Sequence, residues 1–283
     1  MPPRVAPTFR QQRLGAELRK LRENAGMTAS AAGALLGVDQ ARISNIECGR
    51  AGISADRLRT LACNYACGNQ KLIDALAAMT GDRTRYWWEE YRGILPPGQI
   101  DIAELEFHAT ELRTAQTSTL PGLLQTVDHA RIVFDLGVPP LPPSEVEHRT
   151  SFRMKRQAVL YRDDAVSYTA IIHEAALRMQ FGGRTTSRKQ LEHIVSTSER
   201  DNVTVLVIPF SAGEFPGSGQ TILYASGPTP ELDTVQLDQM GGPAFQDASA
   251  QLARYDAVIE LLKQASLSPA ASRDFIRGII REL

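Results

Sequence analysis

Residues 28–47, TASAAGALLGVDQARISNIE, leave this chain few ways to fold. Gly33, Gly37, Ile43 and Ile46 stand at intervals of four, six and three, which divides the stretch into a short helix, a tight turn and a second short helix. Gly33 falls inside the first helix, where a Cβ-free or Ala-sized residue lets the second pass close by. Gly37 falls at its end, where the chain turns through a left-handed conformation that costs a residue with a Cβ about 1 kcal/mol or more. Ile43 and Ile46 share one face of the second helix and anchor it to a core. Asp39 is placed as the N-cap of that helix, its carboxylate accepting from free backbone N–H groups. Gln40, Ala41, Arg42, Ser44 and Asn45 remain outward, a set of donors and acceptors around a small apolar surface. Such a set suits base-pair edges in a major groove. Any antiparallel helix pair with a glycine in its connection shares this pattern, so the flanks must decide.

Upstream, Leu14, Leu18 and Leu21 recur at i, i+4 and i+7 and predict an amphipathic helix over 9–24, closed by Asn24 and Gly26. Downstream, Leu58, Leu61 and Tyr65 follow the same rule, with Ser54 as N-cap and Arg57 on a neighbouring face. A further helix over 69–80 carries Leu72, Ile73, Leu76 and Met79. Five helices with short connections make an independent all-α domain over residues 1–80. Charge agrees with a polyanionic partner: residues 1–70 hold ten basic and five acidic side chains, a net of +5, whereas the whole chain is −1. Residues 71–283 therefore carry −6, an acidic body behind a basic head.

Through LGAELRKLRENAGMT, the glycine and isoleucine spacing, and RISNIECGR, residues 13 to 66 resemble the DNA-binding domain of Xre-type regulators, the Cro and phage-repressor group. The resemblance implies a five-helix, phage-repressor-like helix-turn-helix domain. Its second motif helix, 39–47, would enter the groove, with Gln40, Ala41, Ser44 and Asn45 facing base edges. The first motif helix would be pinned to a phosphate by its N-terminus at Thr28, with Arg42 and Arg50 on phosphates as well. Two departures imply weaker docking and a less stable domain: Ala29 stands where the family usually has a phosphate-clamping Gln, and Ala32 where it has a core Leu. Gly33 within a helix adds a penalty of about 1 kcal/mol relative to Ala.

At 283 residues, 43% hydrophobic and 22% charged, the chain is long enough for two domains with their own cores. No apolar run approaches the roughly 20 residues of a membrane span, and MPPRVAPTFR lacks the apolar core of a signal peptide, so a cytoplasmic, nucleoid-associated protein without membrane contact is expected. Three cysteines argue against a disulfide framework. Cys63 and Cys67, four apart on one helix, are expected to pack in the core, and no Cys or His cluster has zinc spacing. Cys48 follows the recognition helix at an exposed position, where a thiol could sense oxidation, although no activating base is visible. Residues 81–99, GDRTRYWWEEYRGILPPGQ, hold both tryptophans and form an aromatic interdomain segment too apolar for a flexible linker.

From residue 100 the pattern is α+β. Helices are expected over 102–113 and 125–136, and over 144–160 with Ser144 and Glu147 at capping-box spacing. AVSYTAIIHE, DNVTVLVIPF, TILYAS and ELDTVQL read as strands, a short helix to Gln180 and SRKQLEHIVSTSER as helical, and two helices close the chain over 248–265 and 269–281. LEFHATELRTAQTSTLPGLLQT, DHAR, RMKRQAVL, HEAALRMQFGG, QLEHI, NVTVLVIPFSAGEFPG and LSPAASRDFI resemble, in order, the domain that follows an Xre-type head in actinobacterial antitoxin-like regulators. One departure is His129, where that family more often has an aromatic. The resemblance implies a regulator often paired with a small partner protein.

Catalytic signatures are absent: the five histidines stand singly, His173-Glu174 and Glu192-His193 lack ligand spacing, and PGSGQ at 216–220 is followed by a strand rather than a helix N-terminus. The sequence therefore predicts no catalytic residues, no metal and no cofactor. It predicts a multidomain, homodimeric transcriptional regulator that reads double-stranded DNA at an inverted repeat, with an α+β domain over 100–283 for dimerisation, a partner protein or an unidentified effector. The alternatives are an antitoxin-like protein-binding module and a small-molecule or redox sensor.

Overall fold

The computed structural model describes residues 6–81, 84–213, 215–217, 219–239 and 241–283. The chain divides into two compact units, Met1–Glu89 and Glu90–Leu283. The division falls within the aromatic segment, inside the 3-10 turn Trp87–Tyr91; Asp82 and Arg83 of that segment lie outside the described residues.

The first unit is five helices: α1 (Phe9–Asn24), α2 (Ala29–Leu36), α3 (Gln40–Glu47), α4 (Ala55–Asn64) and α5 (Gln70–Ala78). Each begins at a side chain that accepts from a backbone N–H of its own first turn, namely Thr8, Thr28, Asp39, Ser54 and Asn69. These caps satisfy donors the helix itself cannot. Leu18, Ala32, Ile43, Ile46, Leu58, Leu61, Tyr65, Leu72 and Leu76 are buried.

The buried face of α1 differs from the expected leucine stripe. Leu18 is buried, but Leu14 and Leu21 are only half-buried, and Gly15, Arg22, Arg13 and Glu17 are the enclosed neighbours. The helix is rotated so that Gly15 meets α3, and the charges this encloses are paired: Glu17 lies 3.4 Å from Arg13 and 2.7 Å from Lys20. The cysteines also depart from expectation. Cys63 is exposed, and Cys67 lies beyond α4, which stops at Asn64 because Ala66 takes a left-handed φ of 52° and the Cys67 N–H folds back onto the Ala62 carbonyl.

The second unit contains α6 (Pro97–His108), β1 (Glu111–Gln116), α7 (Val127–Asp135), α8 (Pro143–Arg156), β2 (Ser167–His173), α9 (Glu174–Arg178), α10 (Gly183–Thr197), β3 (Val203–Ile208), β4 (Ile222–Ser226), β5 (Thr234–Gln239), β6 (Gly242–Gln246), α11 (Ser249–Gln264) and α12 (Pro269–Glu282). The strands form one mixed sheet in the order β3-β2-β1-β4-β5-β6, with β1, β2 and β3 parallel and the other pairings antiparallel. One face, with Leu112, Ala170, Ile172, Val205 and Val207, packs with Leu191 and Ile194 of α10 and Ile276 and Ile279 of α12. The other, with Ala115, Ile171, Leu206, Ile208, Val235 and Leu237, packs with Leu252, Ile259 and Leu262 of α11. Burial on both faces accounts for the run of apolar residues in β3, broken only at Thr204.

Two expectations are corrected here. The helix placed over 102–113 is α6, which starts at Pro97 in the N1 position and ends at His108, and Glu111–Gln116 is the central strand β1. Three of its buried residues are polar, which hid it: Thr114 and Gln116 are enclosed beside Arg113, which is held by Asp256 at 2.7 Å and Glu260 at 3.3 Å, its Cζ 4.3 Å from the Tyr224 ring centroid. Ser144 and Glu147 form no capping box, because α8 starts from Pro142 and Pro143, and Glu147 pairs instead with Arg131 at 2.7 Å.

Candidate nucleic-acid interface

The turn between α2 and α3 is built as its glycines require. Gly37 caps α2 with φ 64° and ψ 35°. The expectation that an Ala-sized residue would also fit at Gly33 is corrected: a Cβ there would lie 2.5 Å from the Val38 carbonyl oxygen, so alanine would bring a backbone clash rather than recover helix propensity. Asp39 accepts from the Arg42 N–H at 2.7 Å and starts α3.

α3 presents two faces. Ile43 and Ile46 are 1% and 6% exposed, whereas Gln40, Ala41, Arg42 and Ser44 are exposed and Asn45 is half-buried. The Arg42 guanidinium donates to the Gly52 carbonyl at 3.1 Å. Arg50 is exposed just beyond α3, where its N–H bonds the Asn45 carbonyl, and Thr28 is exposed at the head of α2. The six residues Gln40, Ala41, Arg42, Ser44, Asn45 and Arg50 are thus gathered at α3 and its exit, while Thr28 sits at the start of the preceding helix.

Three features of this surface escaped the sequence reading. An ion pair ties α3 to α1: Arg22 donates to both Glu47 carboxylate oxygens at 2.6 and 2.9 Å and to the Met27 carbonyl at 2.7 Å. The hydrogen bond to Glu47 raises the Arg22 pKa, and burial followed by the Glu47 charge pushes the Tyr65 hydroxyl up to about 12. Second, the backbones touch: a Cβ on Gly15 would lie 2.5 Å from the Ile46 and Glu47 carbonyl oxygens, and one on Gly49 2.8 Å from the Gln11 backbone. Third, Arg57, exposed in the first turn of α4, joins Arg42, Leu36, Val38, Ile46 and Ile53 around a cleft of about 250 Å³. The Arg22–Glu47 spacing of 25 residues has no local period, so only tertiary structure reveals it.

In the second unit, His173 and Glu174 hold the local fold. His173 accepts the Ala175 N–H at 3.2 Å and caps α9, and Glu174 binds Arg178 at 2.6 Å and the Phe210 N–H at 2.8 Å. Ser218 of the PGSGQ loop lies outside the described residues. Among the described residues, no group of three His, Cys, Asp or Glu is placed to hold a metal ion, and no helix is long and apolar enough to cross a membrane.

A family model described as a domain of unknown function, DUF5753, matches residues 99–278, and a helix-turn-helix domain model matches residues 13–76. The chain belongs to the DUF5753 family. The N-terminal match makes this DUF5753 protein a DNA-binding regulator with a helix-turn-helix head, and it spans α1 to α5 together with the Arg22–Glu47 brace. The DUF5753 match contains every strand of the mixed sheet. No curated protein and no solved structure matches the chain.

Proposed function

We propose that this protein is an Xre-type, sequence-specific transcriptional regulator that places α3 in the major groove of an inverted-repeat operator. Gln40, Ala41, Ser44 and Asn45 read base edges, and Thr28, Arg42 and Arg50 hold phosphates. The second unit pairs two copies of the chain and receives a signal or a small partner protein, as in the antitoxin-like regulators it resembles. It carries out no catalysis. The protein acts in the cytoplasm on nucleoid DNA.

The observation that carries this reading is the partition of α3 into a buried isoleucine face and an exposed polar face. A helix braced to α1 by Arg22–Glu47 is also rigid enough to present that face in one orientation. The expected outcomes separate the roles. Gln40→Ala relaxes the preference at one base position by about 1–3 kcal/mol, whereas Arg42→Ala weakens binding to all sequences and lowers the slope of log K against log salt by about 1. Titration of both variants against a systematically mutated operator by fluorescence anisotropy checks this. An unchanged sequence preference in Gln40→Ala would falsify the assignment of α3 as the reading helix.

A further inference from the structure

The second unit contains a pocket of about 350 Å³ whose roof is unusually cationic. One wall is the sheet, where Thr114, Leu223 and Gln236 form a row in register across β1, β4 and β5. Another is α6, which contributes Gln99, Ile102 and Glu106 at i, i+3 and i+7. The third is α8, whose Arg149, Phe152, Arg153 and Arg156 occupy i, i+3, i+4 and i+7 and so share one face. A helix face turned toward a sheet is normally apolar, and here three of its four residues are arginines.

Two of the three are neutralised within the protein. Arg156 is paired with both oxygens of Glu106 at 2.8 and 2.6 Å, and Arg149 with Glu145 at 3.0 Å. Among the described residues, Arg153 has no such anion. Its Nη1 donates to the amide oxygen of Gln125 at 2.6 Å, its Cζ lies 4.2 Å from the centroid of the Phe134 ring, and among the described residues its enclosed Nε has no hydrogen-bond partner. Gln125 cannot turn away, because its own amide nitrogen donates to the Leu120 carbonyl at 2.7 Å. Burial, with Arg156 next, pulls the Arg153 guanidinium down to about 9, as expected of an enclosed cation lacking its counter-charge. Asp238 also lines the pocket, with one carboxylate oxygen accepting from Gln236 at 2.8 Å, and no ion pair links it to Arg153.

We propose that this pocket binds a small organic monoanion, a carboxylate with an aromatic or branched apolar body, through the guanidinium of Arg153. The carboxylate pairs with the one pocket-lining arginine for which, among the described residues, no ion pair is formed, in the planar geometry that guanidinium favours. The body lies against Phe134, Phe152 and Leu223, which line the same space. The pairing sets the class: among the described residues Arg153 alone of the three arginines has no ion pair, and the Asp238 carboxylate on the rim repels a dianion more than a monoanion, so phosphate binds more weakly than a carboxylate. The volume is that of a small-ligand site. The proposal requires no DNA and stands apart from the assignment of α3.

The test is calorimetric titration of the full chain with benzoate, phenylacetate and 3-methylbutanoate, beside benzamide and inorganic phosphate, at concentrations up to about 10 mM. At least one carboxylate is expected to bind, with benzamide and phosphate at least tenfold weaker. Arg153→Gln is expected to weaken that carboxylate by tenfold or more, and Asp238→Asn, on the exposed rim, to tighten it severalfold. The Arg153 Nε–H resonance is expected to shift on titration, which reads the contact even where Arg153→Gln fails to fold. Equal binding of benzamide and benzoate, binding by none of the carboxylates, or an Nε–H signal unmoved at saturation overturns the proposal.

Discussion

At the scale of single residues, Gly15 sets how closely α1 and α3 approach. Two carbonyl oxygens lie 2.5 Å from where its Cβ would stand, and both belong to the α3 backbone, which cannot rotate aside. Gly15→Ala gains at most about 1 kcal/mol of helix propensity but forces the two helices apart, a typical overpacking cost of 1–3 kcal/mol. The net expectation is a destabilisation of about 1–2 kcal/mol in the first unit, read as a lower Tm by circular dichroism; an unchanged or raised Tm would contradict the packing described. His129 offers a second residue-scale test. It is 1% exposed, lies edge-on to Phe181 at 5.5 Å, and among the described residues neither ring nitrogen has a partner. Burial, then the charge of Arg153, pushes its imidazole down to about 4, against about 6.5 in an unfolded chain. Between those values the unfolded chain takes up a proton that the folded chain refuses. Neutral His129 therefore contributes its full stability above about pH 6.5, and that contribution is lost as the pH falls toward 4. His129→Phe keeps an aromatic ring and removes the slope, so urea unfolding at pH 7 and pH 5 should show the parent losing about 1–2 kcal/mol more than the variant. Identical losses would show that His129 is not the group that titrates.

At the scale of elements, legibility followed the match between polarity and burial. α2 and α3 were readable because their glycines and isoleucines each have one mechanical task, and Gly37, Asp39, Ile43 and Ile46 perform it as read. β2, β3, β4 and β5 were readable from β-branched runs. β1 was not, since Arg113, Thr114 and Gln116 are buried through partners that come from far along the chain, Glu260 for Arg113 and the Ile222 carbonyl for Thr114. The stripe on α1 misled for a related reason: Leu14, Leu18 and Leu21 gave the right helix but the wrong rotation, because Gly15 decides which side faces α3. Arg149, Arg153 and Arg156 stand at helical spacing in plain sight, yet a charged helix face ordinarily means solvent. Only the glutamate partners and the enclosed Nε distinguish a pocket wall from such a face.

At the scale of the whole molecule, charge and site size together argue for two copies of the chain on one operator. The net +5 of residues 1–70 favours phosphate nonspecifically, while the −6 of residues 71–283 opposes it, so long-range attraction to DNA is modest and, in the function proposed above, affinity comes from contacts made by α3. One such helix reads few base pairs, and under the proposed Xre-type reading Ala29 stands where a glutamine would clamp a phosphate. Two heads held together add their free energies, and heads related by a two-fold axis meet half-sites about 34 Å apart, one helical turn of DNA. Light scattering of the protein–operator complex is therefore expected to give two chains per duplex. Inserting about half a turn, roughly 5 bp, between the half-sites turns one of them to the opposite side of the DNA and should lower affinity tenfold or more, whereas a full-turn insertion costs much less. A complex of one chain per duplex, indifferent to both insertions, would leave a single head to supply all the affinity and would sink the dimer.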